Sequence, residues 1–119
     1  MPEVLGGAGV SYTVYLTVDL GGPDPSRIEC DDYLNYTYNV WGMFRLALGG
    51  DCLNDLDRMD AGAAAERLGP AITAMRADPS TYRAMNPPNG WGDYEGAVQF
   101  LERCRATFVM HPRATVRVG

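Results

Sequence analysis

The alternation of side chains over Ser11 to Asp19 constrains the fold more than any other stretch of the sequence. Apolar or aromatic side chains occupy every second position there, at Tyr12, Val14, Leu16 and Val18. A period of two in a segment rich in β-branched and aromatic residues predicts a β-strand with one face toward the core. Residues 20–26, which include two glycines and two prolines, end this strand as a loop.

The other end of the chain predicts a second strand. Ala114 to Val118 alternates small or apolar residues with polar ones after Pro112, and Arg27 to Cys30 could add a short edge strand. Because two strands alone make a marginal sheet, either the 27–30 segment joins them or two chains pair their edges. The second possibility is the reason to expect a homodimer.

The middle of the chain predicts helices. The first begins between Asn35 and Asn39 and ends at Leu48, before a pair of glycines. A second helical region runs from Asp60 through Arg76, and Pro70 either kinks it or starts another helix. A short helix follows over residues 78–85, where an aspartate and a proline can begin its first turn.

The last helix is predicted after Asp93, which can cap it. Its apolar face comprises Tyr94, Ala97, Val98, Leu101, Cys104 and Phe108. The order of strand, helices and strand predicts a single α+β domain over residues 11–119. In this fold a small antiparallel sheet from the N- and C-terminal strands packs against three or four helices. Residues 1–10 are expected to form a flexible leader.

Composition and charge exclude several classes of function. The formal net charge of −5 over 119 residues disfavours broad binding to duplex nucleic acid, because such binders usually carry a basic face. The three cysteines, Cys30, Cys52 and Cys104, have no CxxC spacing, which argues against a zinc site or a disulfide framework. No stretch has the ~18 apolar residues of a membrane span, and no signal-peptide pattern is present. We therefore expect a cytoplasmic protein without a metal, a cofactor or a membrane partner.

The first candidate binding segment is Asn35-Tyr36-Thr37-Tyr38-Asn39, at the predicted start of the first long helix. All five side chains can form hydrogen bonds, and two of them are aromatic. In one interpretation, free backbone N–H groups at the helix start receive an anion or a carbonyl, and Tyr36 or Tyr38 stacks on a planar group. In the other, Asn or Thr caps the helix and the tyrosines pack half-buried.

The second candidate is the Asn86–Gly96 loop, in which prolines and glycines surround Trp91. Proline fixes φ, and asparagine side chains can bond to the nearby backbone, so the loop should be stiff. In one interpretation Trp91 is a platform for a polar ligand, framed by the amides of Asn86 and Asn89. In the other, Trp91 fills the core between the last two helices.

Catalytic patterns are weak in this sequence. His111 is the only histidine, and a surface or capping role suits it better than a catalytic dyad. A hydrolase would have to use Asp93, Glu95 or His111 as its base. We predict no catalytic residues and no metal ligands, while leaving open whether the protein is an enzyme.

Two stretches carry a resemblance to a known group. Tyr36-Thr37-Tyr38-Asn39 followed by residues 43–48, and later Asn86-Pro-Pro-Asn-Gly-Trp-Gly continuing to Ala97, resembles a set of small uncharacterised proteins from bacteriophages and bacteria. The resemblance covers about Tyr33 to Val118, and the NPPNGWG loop is its most specific part. Small phage proteins of this kind include sponges that sequester a nucleotide immune signal in the bacterial host cell, and others that block a host protein directly. The resemblance implies one of these anti-defence roles.

Together these observations predict a non-catalytic small binding protein with a polar and aromatic pocket for a nucleotide-like ligand. The predicted ligand-binding residues are Asn35, Tyr36, Tyr38, Asn39, Arg45, Arg83, Asn86, Asn89, Trp91 and Tyr94. The aromatic rings would stack on a planar group, the asparagines would read its edges, and an arginine would bond a phosphate in bidentate fashion. Two alternatives stay open: an inhibitor that contacts a host protein through an acidic face, and a small hydrolase acting on a nucleotide.

Overall fold

A computed structural model describes residues 11–28, 34–49 and 52–119, with the side chain of Cys52 excepted. In these residues the strands are β1 (Ser11–Val18), β2 (Ser26–Arg27), β3 (Asn35–Thr37) and β4 (Thr115–Val118). The α-helices are α1 (Trp41–Leu48), α2 (Ala61–Ala77), α3 (Pro79–Arg83) and α4 (Tyr94–Met110), and 3-10 helices span Tyr38–Val40 and Cys52–Leu56. The α+β prediction is confirmed. The expected leader, residues 1–10, lies outside the described residues.

Strand β1 organises the sheet, because β2, β3 and β4 all pair with it in antiparallel fashion. Thr17 pairs with Arg27 of β2 and with Thr115 of β4, so these two strands lie on opposite edges of β1. The predicted pairing of the two terminal strands is confirmed, with Leu16 opposite Val116. Both of these side chains are fully buried, as the period-two pattern requires.

The outer edge of β4 is covered by the segment that precedes α2. The backbone of Val116 bonds to those of Arg58 and Met59, and Asp60 forms a bridge with Thr115. The backbone groups of an edge that is already hydrogen-bonded within the chain are not free to pair with a strand of a second chain. Pairing through this edge therefore no longer argues for a homodimer, although the homodimer itself stays a prediction.

The α-helical part of the first helix begins later than predicted, at Trp41. Helical backbone of the 3-10 type begins at Tyr38, within the predicted interval from Asn35 to Asn39, and the Thr37 side chain caps it. Asn35–Thr37 instead pairs with the first residues of β1, and Tyr38–Val40 forms the 3-10 turn that leads into the helix. Pairing with β1 uses the backbone groups that a longer helix would have bonded internally, so the non-local contact overrides the local pattern.

The other helix predictions are confirmed with small changes in bounds. Helix α1 ends at Leu48 as expected, and α2 continues through Pro70 as one helix. Helix α3 ends at Arg83, slightly earlier than predicted. Asp93 caps α4, since its carboxylate accepts a hydrogen bond from the backbone N–H of Gly96 at 2.7 Å. The short edge strand predicted at residues 27–30 is observed at Ser26–Arg27, and residues 29 and 30 lie outside the described part.

The core lies between the sheet and the helices. The predicted apolar face of α4 is buried along its whole length, and Phe44 and Phe100 are fully buried beside it. Cys104 belongs to this core, and burial raises the pKa of its thiol to about 12. A thiol with so high a pKa carries almost no thiolate at neutral pH, so Cys104 is a packing residue.

Candidate functional site

The two candidate segments come into contact at the start of α4. The side-chain amide of Asn89 donates to the side-chain oxygen Oδ1 of Asn39 over 3.4 Å. The backbone N–H of Asp93 donates to the hydroxyl of Tyr36 over 3.1 Å. These contacts join residues that are 50 and 57 positions apart in sequence. The structure therefore places the 35–39 segment directly against the 86–96 loop.

Tyr36 joins the sheet to the first turn of α4. Its ring stacks on Phe100 with the ring centroids 5.7 Å apart, and its hydroxyl lies against the backbone of Asp93. A Cβ atom at Gly96 would overlap this hydroxyl, so the close approach requires glycine there. Burial raises the pKa of Tyr36, which keeps the hydroxyl protonated at neutral pH. Tyr36 is half-buried and serves the scaffold on this side.

Asn35 and Tyr38 are also engaged by the sheet. The Asn35 amide donates to the Ser11 hydroxyl, the Tyr12 carbonyl and the Thr13 hydroxyl, over 2.9 to 3.1 Å. The ring of Tyr38 packs on that of Tyr12, with centroids 5.0 Å apart. The predicted helix start with free N–H groups does not exist at Asn35, because this residue belongs to a paired strand. These two side chains stabilise the junction between β1 and β3.

The polar groups of the NPPNGWG loop are bonded within the protein. The Asn89 carboxamide oxygen accepts the backbone N–H of Trp91 at 2.9 Å, which forms a tight side-chain turn. The Asn86 carboxamide oxygen accepts the backbone N–H of Tyr94 at 2.8 Å, which ties the loop to α4. Gly90 has a positive φ of 78°, which favours glycine there. The indole of Trp91 remains 52 % exposed, so the interpretation that it fills the core was wrong.

Tyr94, in contrast, is buried, with 6 % of its surface exposed. Its hydroxyl donates to the backbone carbonyl of Met75 at 2.8 Å. The helical donor for that carbonyl would be residue 79, a proline without an N–H, so the tyrosine supplies the missing partner. Arg83 lies over the Tyr94 ring and pairs with Glu95, its Nη2 atom 2.8 Å from the carboxylate. Tyr94 and Arg83 are thus held in contacts within the protein.

An exposed aromatic residue that the sequence interpretation missed lies beside this loop. Trp41, the first residue of α1, is 43 % exposed. Gly92 packs against Val40, so the neighbours of the two tryptophans are in contact. The sequence carries one signal for Trp41, because each tryptophan follows an asparagine by two residues. In the structure these asparagines, Asn39 and Asn89, are hydrogen-bonded to each other.

Two further side chains extend this exposed area. Met85 is 36 % exposed, and its methyl group would lie 3.2 Å from a Cβ atom at Gly42. The guanidinium of Arg45 lies 5.8 Å from the centroid of the Trp41 ring, on the next turn of α1. We call the area formed by Trp41, Arg45, Met85 and Trp91 the tryptophan surface. It combines two exposed indoles, one thioether and one cation.

The three residues considered as a catalytic base do not form one site. Asp93 and Glu95 lie at the start of α4, and His111 follows its last residue. Seventeen residues separate these two ends, or about 25 Å of helix at 1.5 Å per residue. The Asp93 carboxylate caps the helix, and the ion pair with Arg83 lowers the pKa of Glu95. A lower pKa makes Glu95 a weaker base.

Among the described residues, no three His, Cys, Asp or Glu side chains are grouped so that they could hold a metal ion. None of the helices in this part of the chain is both long and apolar enough to cross a membrane.

Comparisons of the chain with protein-family models, curated proteins and solved structures gave no match. The tryptophan surface is therefore the feature of the described residues that points to a function.

Proposed function

We propose that this chain is a small non-catalytic protein that binds a nucleotide-like ligand through the tryptophan surface. The observation that carries the proposal is that Trp41 and Trp91 are both exposed and that the segments carrying them are joined by the Asn39–Asn89 hydrogen bond. Large exposed apolar side chains that cluster on one face commonly mark a binding site. Here the backbone beneath both indoles is fixed by a helix start and a glycine-rich turn, so little ordering is needed when a ligand binds.

The chemistry of the surface suits a planar group joined to an anion. An aromatic side chain stacked on a base contributes about 1–3 kcal/mol, and all bases have a face that can stack. Arg45 lies close enough to Trp41 to reach a phosphate attached to a base stacked there, and arginine can bond phosphate through two N–H groups. Arg83 is less available, since Glu95 already occupies its guanidinium.

A protein that sequesters such a ligand binds it in a fixed ratio and releases it unchanged. This role agrees with the resemblance of the NPPNGWG loop to small phage and bacterial proteins. In a bacterial host cell the ligand would be a nucleotide immune signal, and removing it would counter the defence it triggers. The same resemblance supports no chemical step.

Intrinsic fluorescence can test this proposal, because both tryptophans of the chain belong to the proposed site. Purified protein is titrated with cyclic dinucleotides and ADP-ribose derivatives, and stacking should quench the indole emission to saturation. Trp91→Ala should then weaken binding about 5- to 150-fold, the equivalent of one lost stacking contact. Met110→Ala is the matched control and should bind normally, because Met110 is exposed at the C-terminal end of α4, the end away from the site.

Two results would decide the class of function. Ligand recovered unchanged from the heat-denatured complex supports sequestration, whereas a converted ligand would favour the hydrolase. Failure of every nucleotide in the panel to bind would contradict the nucleotide proposal. Binding that survives in both Trp41→Ala and Trp91→Ala would contradict this surface as its site.

One observation favours a second candidate, a protein that inhibits a host protein by contact. Met85 and Leu46 are exposed at 36 % and 55 %. Their side chains have no aromatic ring that could stack on a base. Tryptophan, methionine and arginine are enriched in protein–protein interfaces, and tryptophan is frequent among their most important contacts. Affinity capture from host lysate with wild-type and Trp91→Ala protein would test it. A partner retained by the wild type alone, with no nucleotide bound, would favour this candidate.

A further inference from the structure

A groove between α2 and α4 lies outside the tryptophan surface. Its cavity volume is about 360 Å³, within the range of small-molecule sites. The polar side chains that line it are Thr73 and Arg76 of α2 and Glu102 and Arg105 of α4. These four residues come from helices distant in sequence, so the groove depends on the packing of one helix on the other.

The charges in the groove are not balanced. Arg76 and Glu102 form an ion pair across it. The guanidinium of Arg105 forms no hydrogen bond or ion pair with any residue in the described part of the chain. The groove therefore carries one excess positive charge in a protein whose net charge is −5. An arginine side chain that is free to bond and a hydroxyl that lines the same groove are groups that can bond phosphate oxygens.

Gly69 of α2 leaves free volume beneath the Arg105 side chain. It lies inside the helix directly before Pro70, where the Cβ atom of any other residue would crowd the proline ring, so glycine is favoured there. On the groove side, a Cβ atom at Gly69 would meet Arg105, 3.7 Å from its Nε. Ile72 and Ala106 add apolar walls beside this volume.

The geometry points to a second ligand site in this groove, for a small organic phosphate. The phosphate bonds to the Arg105 guanidinium and the Thr73 hydroxyl, and the organic part lies against Ile72 and Ala106. Arg76 adds positive potential while Glu102 holds its side chain in place. This site is independent of the tryptophan surface and of whatever ligand binds there.

Phenyl phosphate is a suitable probe, with phenol as the uncharged counterpart. Backbone amide shifts from ¹⁵N-labelled protein are followed during a titration with each compound. We expect saturable shifts at Thr73, Arg105 and Ala106 with phenyl phosphate, and none with phenol. Shifts confined to the indole N–H groups would overturn this proposal while leaving the proposed function intact.

Arg105→Gln tests the central contact and should weaken phenyl phosphate binding about tenfold, the effect of losing one charge-assisted hydrogen bond. Arg103→Gln is the matched control, since Arg103 is exposed on the same helix but does not line the groove. Thr73→Ala should weaken binding less than Arg105→Gln, and thermal melts of each variant verify the fold. Equal weakening by Arg103→Gln would show general charge attraction, and it would overturn the proposal, as would an unchanged affinity in Arg105→Gln.

Discussion

Trp91 and Tyr94 lie three residues apart, yet one faces solvent and the other belongs to the core. In the loop, the Asn89 side chain bonds the backbone of Trp91, so the turn is stable without help from the indole. In the first turn of α4, the Tyr94 ring and hydroxyl are both required, the latter by the carbonyl of Met75. The region where the 86–96 loop meets α4 therefore contains two functionally separate layers, a scaffold and an exposed surface.

The two layers should respond differently to substitution. A change in the scaffold, at Tyr36, Tyr94 or Gly96, should reduce stability and disturb the surface only through unfolding. A change in the tryptophan surface should leave stability nearly unchanged and reduce binding.

The largest effect is expected for Gly96→Ala. Alanine normally stabilises a helix relative to glycine, but a Cβ atom here overlaps the hydroxyl of Tyr36 and approaches the capping carboxylate of Asp93. We expect a loss of about 1–3 kcal/mol in the free energy of unfolding, measured by urea denaturation. The same substitution in a Tyr36→Phe background is the matched control, and it should cost less because the overlapping hydroxyl is absent. An equal loss in both backgrounds would contradict the role given to Tyr36.

Tyr94→Phe should have the next largest effect. The substitution keeps the ring against Tyr82 and removes only the hydroxyl that donates to the Met75 carbonyl. We expect a loss of about 1–2 kcal/mol, because a buried acceptor is left without its donor. Denaturation midpoints of the variant and the wild type measure the loss. Stability equal to that of the wild type would mean that another donor reaches the carbonyl.

Asp93→Ala removes the cap of α4 and should cost about 1 kcal/mol. Asp93→Asn retains an acceptor for the Gly96 N–H and should restore most of the loss. Thermal unfolding followed by circular dichroism compares the three proteins. If asparagine were no better than alanine, the role of the cap would be electrostatic rather than a hydrogen bond.

Asp57 gives a smaller effect that depends on pH. Hydrogen bonds from the backbone of Val118 and from Arg117 lower the pKa of Asp57 in the folded protein. Its contribution is therefore present above the unfolded pKa and is lost as pH falls through the folded pKa. Asp57→Asn should reduce stability by less than about 1 kcal/mol at neutral pH, since the group is partly exposed. Urea denaturation across the acidic range should show the difference shrinking, and a difference that grows in acid would contradict this sign.

The sequence predicted the elements whose patterns are local. The period of β1, the apolar face of α4 and the cap at Asp93 are each visible within a few neighbouring residues. The start of α1 was missed because Asn35–Thr37 forms a strand only through pairing with residues 11–13, far away in sequence. A tryptophan between glycines fits both a core and a surface, so the exposure of Trp91 required the contacts around it.

The site was predictable to a similar extent. The two segments were identified from their polar and aromatic residues, and Trp91 lies where a ligand could reach it. Asn35 and Tyr94 fit the same composition, yet they bond within the protein. Trp41 and the groove beside Arg105 were missed, because both depend on how separate elements pack together.

The most direct test of the tryptophan surface is iodide quenching of Trp91 emission in Trp41→Phe protein, with and without bound ligand. We predict an indole that iodide reaches freely in the unbound protein, because half of its surface is exposed. We also predict that a bound nucleotide shields it, with no change in thermal stability caused by the substitution. An indole that iodide cannot reach in the unbound protein would contradict the exposed position of Trp91. An indole that stays equally accessible in the complex would contradict the proposed binding site.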